Sequence, residues 1–315
     1  MADWEEKLRS GETRWLARAI SSVVERVPGA EALLHAAYRL GGSARVVGLT
    51  GPPGSGKSTL VDALARRYRA AGETVGIVAV DPTSPFTGGA ILGDRIRMQA
   101  HHADPGIFIR SLATRGALGG LAQSAAEVVA LLDAAGRQRI LVETVGVGQD
   151  EVDIIQLADV TVVVLVPGMG DEVQAIKAGL MEIADIFVIN KSERGPERLE
   201  QEIKAMLSLA PHAEGARPWR PPIVRTVATD GTGVEALQAA VQDRLAWLDL
   251  HGGLAQHRAR QWEQRLRLLA RDRLAERVLR PKMSDARVQA LAEAIAANRQ
   301  DPLNAVDAMI TEALA

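Results

Sequence analysis

The segment RVVGLTGPPGSGKST, Arg45 to Thr59, constrains the fold more than any other part of the chain. A short apolar run ends in Gly51, a glycine-rich turn follows, and Lys57 opens a helical stretch over 57–71. The spacing Gly51, Gly56, Lys57, Ser58 satisfies G-x-x-x-x-G-K-S/T in the strand-to-helix context that this pattern requires. Glycines let such a loop turn its successive amides inward toward phosphate oxygens, and the positive end of the following helix adds to them. The sequence therefore predicts a phosphate cradle of Gly51, Pro53, Gly54, Ser55, Gly56, Lys57, Ser58 and Thr59. Lys57 is expected to reach the β- and γ-phosphates and the Ser58 hydroxyl to ligate magnesium.

A cradle of this kind needs a parallel sheet around it, and the chain supplies one. Seven apolar runs recur between residues 45 and 228: 45–51, 74–81, 107–113, 139–146, 160–168, 185–192 and 222–228. Six are so continuously apolar that both faces must be covered, and helical stretches at 57–71, 119–136, 171–182 and 233–249 are available to cover them. The expected fold is an α/β P-loop NTPase with a mainly parallel sheet, placed at residues 42–250. Residues 1–41 are expected to form an N-terminal helical arm, which Pro28-Gly29 divides into two helices. Residues 251–315 carry no strand signal and are expected to be a C-terminal helical arm, with an apolar stripe through Trp262, Leu266 and Leu274 and a stop at Pro281.

Composition removes several chemistries. With no cysteine among 315 residues there is no disulfide, thiolate metal site, iron-sulfur cluster or thiol nucleophile. A net charge of -2 gives no general argument for a polyanionic partner, and the arginines of 252–280 are read as a solvated helix face rather than a nucleic-acid patch. The start lacks a signal-peptide pattern and no apolar run is long enough to span a membrane, so a cytoplasmic protein is expected. His101-His102, the adjacent histidines, are expected on a polar surface.

Magnesium takes oxygen ligands, so carboxylates are needed beside Ser58. Asp81 and Glu143 close apolar runs where an open parallel sheet lines its ligand crevice, and Asp94 sits in the glycine-rich stretch after Asp81. Downstream, INKSE places Asn190, Lys191 and Glu193 at the end of a penultimate core strand. A carboxylate there accepts from guanine N1–H and the exocyclic amine, whereas adenine presents an acceptor at that edge. Glu193 stands where the usual pattern has aspartate, so either the backbone withdraws slightly to fit the longer arm, or Glu193 turns to Arg194 and guanine selectivity weakens. Val227 and Ala228 form the second base loop, with the Ala228 amide expected on the base oxygen.

The ordered motifs GPPGSGKST, VDPTSPFTGGAILGDRIRM, ATRGALGGL, ETVGVGQDE and PGMGDEVQAIKAG give the chain a resemblance to the MeaB/ArgK group of metallochaperone GTPases. That resemblance extends over nearly the whole chain and implies a slow, magnesium-dependent GTPase that forms homodimers through its C-terminal arm. It implies that the protein binds GTP and GDP, gates delivery of adenosylcobalamin to an acyl-CoA mutase such as methylmalonyl-CoA mutase, protects that mutase and is activated by it. No directly bound cobalamin is expected in isolation. By motif, Asp81, Asp94 and Glu143 match the magnesium-side carboxylates. Asp171, Gln174 and Lys177 match a third switch, Glu151 an acidic residue coupled to it, and Lys177 a candidate for entering the nucleotide site when the partner docks. Glu193 and Val227 depart from the family's aspartate and serine. The alternatives are a nickel-insertion GTPase, which would use Cys/His clusters, and an ATP-dependent small-molecule kinase, which would need an acceptor site and prefer ADP to GDP.

Overall fold

The computed structural model describes residues 2–81, 101, 104–113, 120–144, 157–168, 183–209, 219–279 and 283–314. They fall into two compact units, Met1–Arg258 and Ala259–Ala315. In the first, helices α1 (Ala2–Ser10), α2 (Thr13–Val24) and α3 (Ala30–Leu40) lead into strand β1 (Arg45–Thr50). Then follow α4 (Lys57–Ala70), β2 (Val75–Asp81), β3 (Ile107–Ala113), α5 (Gly120–Ala134), β4 (Arg139–Glu143), β5 (Val160–Leu165) and β6 (Ile186–Ile189). Helix α6 (Glu197–Leu209), β7 (Ile223–Arg225) and α7 (Val234–Leu250) complete the αβ succession, and α8 (Gly253–Leu274) runs on into the second unit.

All seven apolar runs become strands of one sheet in the order β3-β2-β4-β1-β5-β6-β7, every pairing parallel. Parallel neighbours cannot be joined by hairpins, so helices must cross over the faces between them. Alternate residues of each strand then serve opposite cores. Val46, Val78, Phe108, Ile140 and Val142 pack with α2, α3 and α5, while Val47, Leu49, Ile77, Leu141 and Val162 pack with α4 and α7. The amino-terminal helices share the first of these cores, to which Leu8, Leu16, Ile20 and Leu33 contribute fully buried side chains. They number three rather than the expected two, because Gly11 takes a left-handed backbone angle that ends α1 before Thr13. A glycine does this without steric cost, and the helical periodicity on either side hides the break.

Carboxylates fasten the amino ends of the strands. Asp133 of α5 accepts from the amides of Gly42, Ser43 (3.2 Å) and Ala44 (2.9 Å), which fixes the approach to β1. Asp185 accepts from the Thr161 amide at 2.9 Å at the start of β5 and pairs with Arg244 of α7 at 2.8 Å. His101, expected on a polar surface, is buried against Asp62 of α4. The carboxylate satisfies the imidazole, so burial costs little; His102 lies outside the described residues.

The second unit continues α8 through a short π turn (Ala275–Leu279) to α9 (Asp285–Ala296) and α10 (Pro302–Leu314). Ser284 caps α9 by accepting from the Arg287 amide, and Arg287 pairs with Glu312 of α10 at 2.7 Å. Its described core is thin: Ala305 and Met309 are buried, whereas Leu266, Leu274, Leu303 and Val306 are exposed.

One buried group makes the packing of α4 testable. Among the described residues the Tyr68 hydroxyl has no hydrogen-bond partner, and burial pushes its pKa up to about 12. Ionisation opposes folding here, since the unfolded chain loses this proton first as pH rises past 10. Stability is therefore expected to fall between pH 10 and 12 in wild-type protein and to fall less in Tyr68→Phe. At neutral pH, chemical denaturation should find Tyr68→Phe unchanged or up to about 1 kcal/mol more stable, because an unpaired polar group leaves the core.

Candidate nucleotide site

The carboxyl end of β1 releases the chain into the glycine turn, with β4 on one side and β5 on the other. Gly56, at φ +90°, caps α4, and a side chain there would bring its Cβ to 2.4 Å from Asn190 Nδ2. The motif's second glycine thus answers two needs: a left-handed turn and a close approach from another element. Within the loop the Lys57 ammonium, itself buried, donates to the carbonyls of Gly51 (2.7 Å) and Pro52 (3.1 Å). Ser55 is fully buried, its hydroxyl has no hydrogen-bond partner among the described residues, and its amide donates to Pro52 O at 3.2 Å.

Ser58, on the first turn of α4, donates to Glu143 Oε1 at 2.6 Å, and Glu143 is buried at the end of β4. Thr144, the next residue, donates through its hydroxyl to Thr50 Oγ1 at 3.1 Å, which ties the two strand ends together. Asp81 ends β2, whose Ala79 is in register with Glu143. The hydroxyl and carboxylate that converge here are hard oxygen donors of the kind magnesium takes, so these residues fit the ion. Among the described residues no cluster of three His, Asp or Glu side chains offers another metal site. Asp94, Glu151, Asp171, Gln174 and Lys177 lie outside the described residues.

Asn190 is the centre of the arrangement. Its Nδ2 donates to Ser55 O in the phosphate loop at 2.8 Å, and its Oδ1 accepts from Thr226 Oγ1 and the Ala228 amide, both at 3.1 Å. Lys191 follows with a left-handed backbone and reaches Gly54 O at 2.8 Å. The chain then turns through a single 3-10 turn, Ser192–Arg194, whose Ser192 amide donates to Thr226 O at 3.1 Å. Val227 pairs with Thr232 across a tight loop. The Ala228 amide, expected to face a base oxygen, here donates to Asn190. Glu193 takes the second of its two expected courses: half-exposed, it lies 3.8 Å from Arg194 Nε.

The structure brings the cradle, Ser58, Glu143, Asn190, Lys191 and Ala228 to one end of the sheet. Sequence reasoning missed Thr226, fully buried, which holds the Asn190 side chain from the other side. Nothing in its sequence neighbourhood marks it, since a threonine in a strand-like run reads as an ordinary β-former.

Fold and site together define a P-loop nucleotide-binding protein. Over residues 16–283 the chain matches the family model described as methylmalonyl Co-A mutase-associated GTPase MeaB, and it belongs to that family of GTPases. A relative from Pyrococcus horikoshii, bearing a GTPase name, is 48% identical over 274 residues, covering 87% of this chain and 86% of its own. GTPase ArgK of Escherichia coli is 37% identical over 273 residues, 85% of this chain and 82% of that one. The mouse methylmalonic aciduria type A homolog, named as mitochondrial, is 36% identical over 225 residues, 69% of this chain and 54% of its own. Among solved structures, one titled LAO/AO transport system kinase superposes with TM-score 0.70 at 27% identity, covering 100% of this chain and 97% of that one.

The bridge from phosphate loop to base loop gives a direct test. Asn190→Ala leaves Ser55 O, Thr226 Oγ1 and the Ala228 amide without their partner. Denaturant unfolding should then show a loss of about 2–3 kcal/mol. Gly56→Ala is expected to displace the same carboxamide and to weaken GDP binding by about tenfold or more in a fluorescence titration.

Proposed function

We propose that the chain is a magnesium-dependent GTPase that gates adenosylcobalamin loading of an acyl-CoA mutase, methylmalonyl-CoA mutase or a related one, and protects that mutase. The observation that supports the nucleotide part is the Asn190 bridge, which sets the end of β6, the segment expected to read the base, directly against the phosphate loop. The mutase part is supported by membership of a family described as mutase-associated.

In this reading the loop amides from Gly51 to Thr59 bind the phosphates, and Lys57 leaves the carbonyls of Gly51 and Pro52 for the β- and γ-phosphate oxygens. Ser58, Asp81, Asp94 and Glu143 would hold magnesium, which would neutralise charge on the phosphates. Water attacks the γ-phosphorus, the bond to the bridging oxygen of GDP breaks, and inorganic phosphate leaves. Such transfer depends on positioning and on stabilising charge rather than on covalent help from the protein. Lys177 supplies further positive charge when the mutase docks, with Asp171, Gln174 and Glu151 reorganising around it. Glu193 accepts from guanine N1–H and the 2-amino group after leaving Arg194, while Lys191, Val227 and Ala228 flank the base.

The exposed apolar side chains of the C-terminal unit, Leu266, Leu274, Leu303 and Val306 among them, support a homodimer formed through that arm. Among the described residues no helix is long and apolar enough to cross a membrane.

The test is magnesium-dependent hydrolysis of GTP, with ATP as control, alone and with an adenosylcobalamin-dependent acyl-CoA mutase from the same organism. A slow GTP-specific rate that rises by about tenfold or more with the mutase is expected. Equal use of ATP would sink the base-reading argument, and GTP turnover indifferent to every such mutase would leave a GTPase with another client. Glu193→Ala should lower the preference for GTP over ATP by about tenfold or more, measured as the ratio of kcat/KM values.

A further inference from the structure

The three amino-terminal helices meet around a cavity of about 200 Å³ that shares no residue with the nucleotide site. Trp4 of α1 lines it, with Trp15, Arg18 and Ser22 of α2, Leu33 of α3 and Val27 from the turn between α2 and α3. Trp15, Arg18 and Ser22 stand three and four apart, so they share one face of α2, beside the stripe of Leu16, Ile20 and Val23 that is buried in the core.

The size of the cavity limits what it can hold. A void of about 150 Å³ takes benzene, whereas pockets for drug-sized ligands begin at about 300 Å³. The space therefore suits one ring or one branched alkyl group. The indoles of Trp4 and Trp15 have centroids 5.9 Å apart and planes inclined at 50°, so they are not stacked and keep aromatic surface for a further apolar group. Trp4 and Val27 are 37% and 38% exposed, and with Tyr38 and Leu250 they are the large apolar side chains that the first unit leaves open among its described residues. Two of those four border this one cavity.

The polar part of the lining has one sign. Among the described residues neither the Arg18 guanidinium, the Ser22 hydroxyl nor the indole N–H of Trp4 or Trp15 has a hydrogen-bond or ion-pair partner. None of the described lining residues is acidic. Gly29, also in the lining, caps α3 with no side-chain hydrogen bond, so the positive end of an 11-residue helix abuts the cavity. Glu31 on that first turn lies 3.9 Å from His35 Nε2 and is not part of the lining. A guanidinium fork matches a carboxylate at two points. A phosphate dianion would bring a second charge that no described lining side chain meets.

We infer that the amino-terminal helices form a binding site for a small organic carboxylate with a single-ring or branched-alkyl body, its apolar part between Trp4, Trp15 and Leu33 and its charge on Arg18. The inference does not rest on the nucleotide-site reading.

Fluorine NMR of the full chain labelled with 5-fluorotryptophan tests it. The 5 tryptophans give separate probes, and Trp4→Phe and Trp15→Phe assign the two at the cavity. Phenylacetate is expected to shift the Trp4 and Trp15 resonances saturably with a Kd of about 1 mM or below, and to leave Trp219, Trp247 and Trp262 in place. Acetate, which lacks the ring, and phenylacetamide, which lacks the charge, should each bind about tenfold more weakly or worse. Arg18→Gln, a change at an exposed side chain, should weaken phenylacetate by the same factor and leave phenylacetamide as it was. Lack of a saturable shift below about 10 mM, an equal shift of all the tryptophans, or full binding to Arg18→Gln overturns the site. A peptide ending in phenylalanine that binds where phenylacetate does not overturns the small-molecule reading in favour of a protein terminus.

Discussion

The candidate site depends on one carboxamide. Asn190 has both of its polar atoms engaged, one on the phosphate loop and the other on the loop that begins at Thr226. Those two loops are separated by more than a hundred residues and belong to strands on either side of β5. Among the described residues no backbone pairing joins them, so their spacing rests on side-chain hydrogen bonds in a buried setting, where each bond is strong and each loss is costly. Gly56 belongs to the same constraint, since any side chain there would occupy the carboxamide's place.

The two ends of the sheet are built on different rules. At the amino ends, Asp133, Asp159 and Asp185 accept from backbone amides and close off the starts of β1 and β5. Fixed carboxylates meeting fixed amides leave little freedom there. At the carboxyl ends, Ser58 against Glu143 and Lys57 against loop carbonyls are contacts that charged ligands can replace. A rigid floor beneath an exchangeable surface suits a protein that must bind, alter and release a nucleotide. Membership of a GTPase family agrees with that division.

The departures from the usual guanine-reading pattern acquire a physical meaning in this frame. Glu193 sits on a single turn of 3-10 helix, half-exposed beside Arg194, with Lys191 anchored to the phosphate loop just before it. The extra methylene lengthens the arm, and the exposed arginine offers the carboxylate a resting partner. Exposed pairs of this kind are weak, so the carboxylate can exchange this partner for another.

All seven strands, the helix after the glycine turn and the strand-end positions of Asp81, Glu143 and Asn190 were legible in the sequence. Each is local: continuous apolar runs demand burial on both faces, and the glycine spacing demands a turn with inward amides. The break at Gly11 was obscured by helical periodicity on both sides, and the burial of His101 depended on a distant aspartate that no spacing rule reveals. Tertiary structure alone decided that Thr226 and Ala228 would hold Asn190 and that Arg258 would meet Asp159 across 99 positions of chain. Such contacts form only when crossovers bring separate strand ends together. The sequence determined the elements and their chemistry, while the order of strands in the sheet decided which side chains could meet.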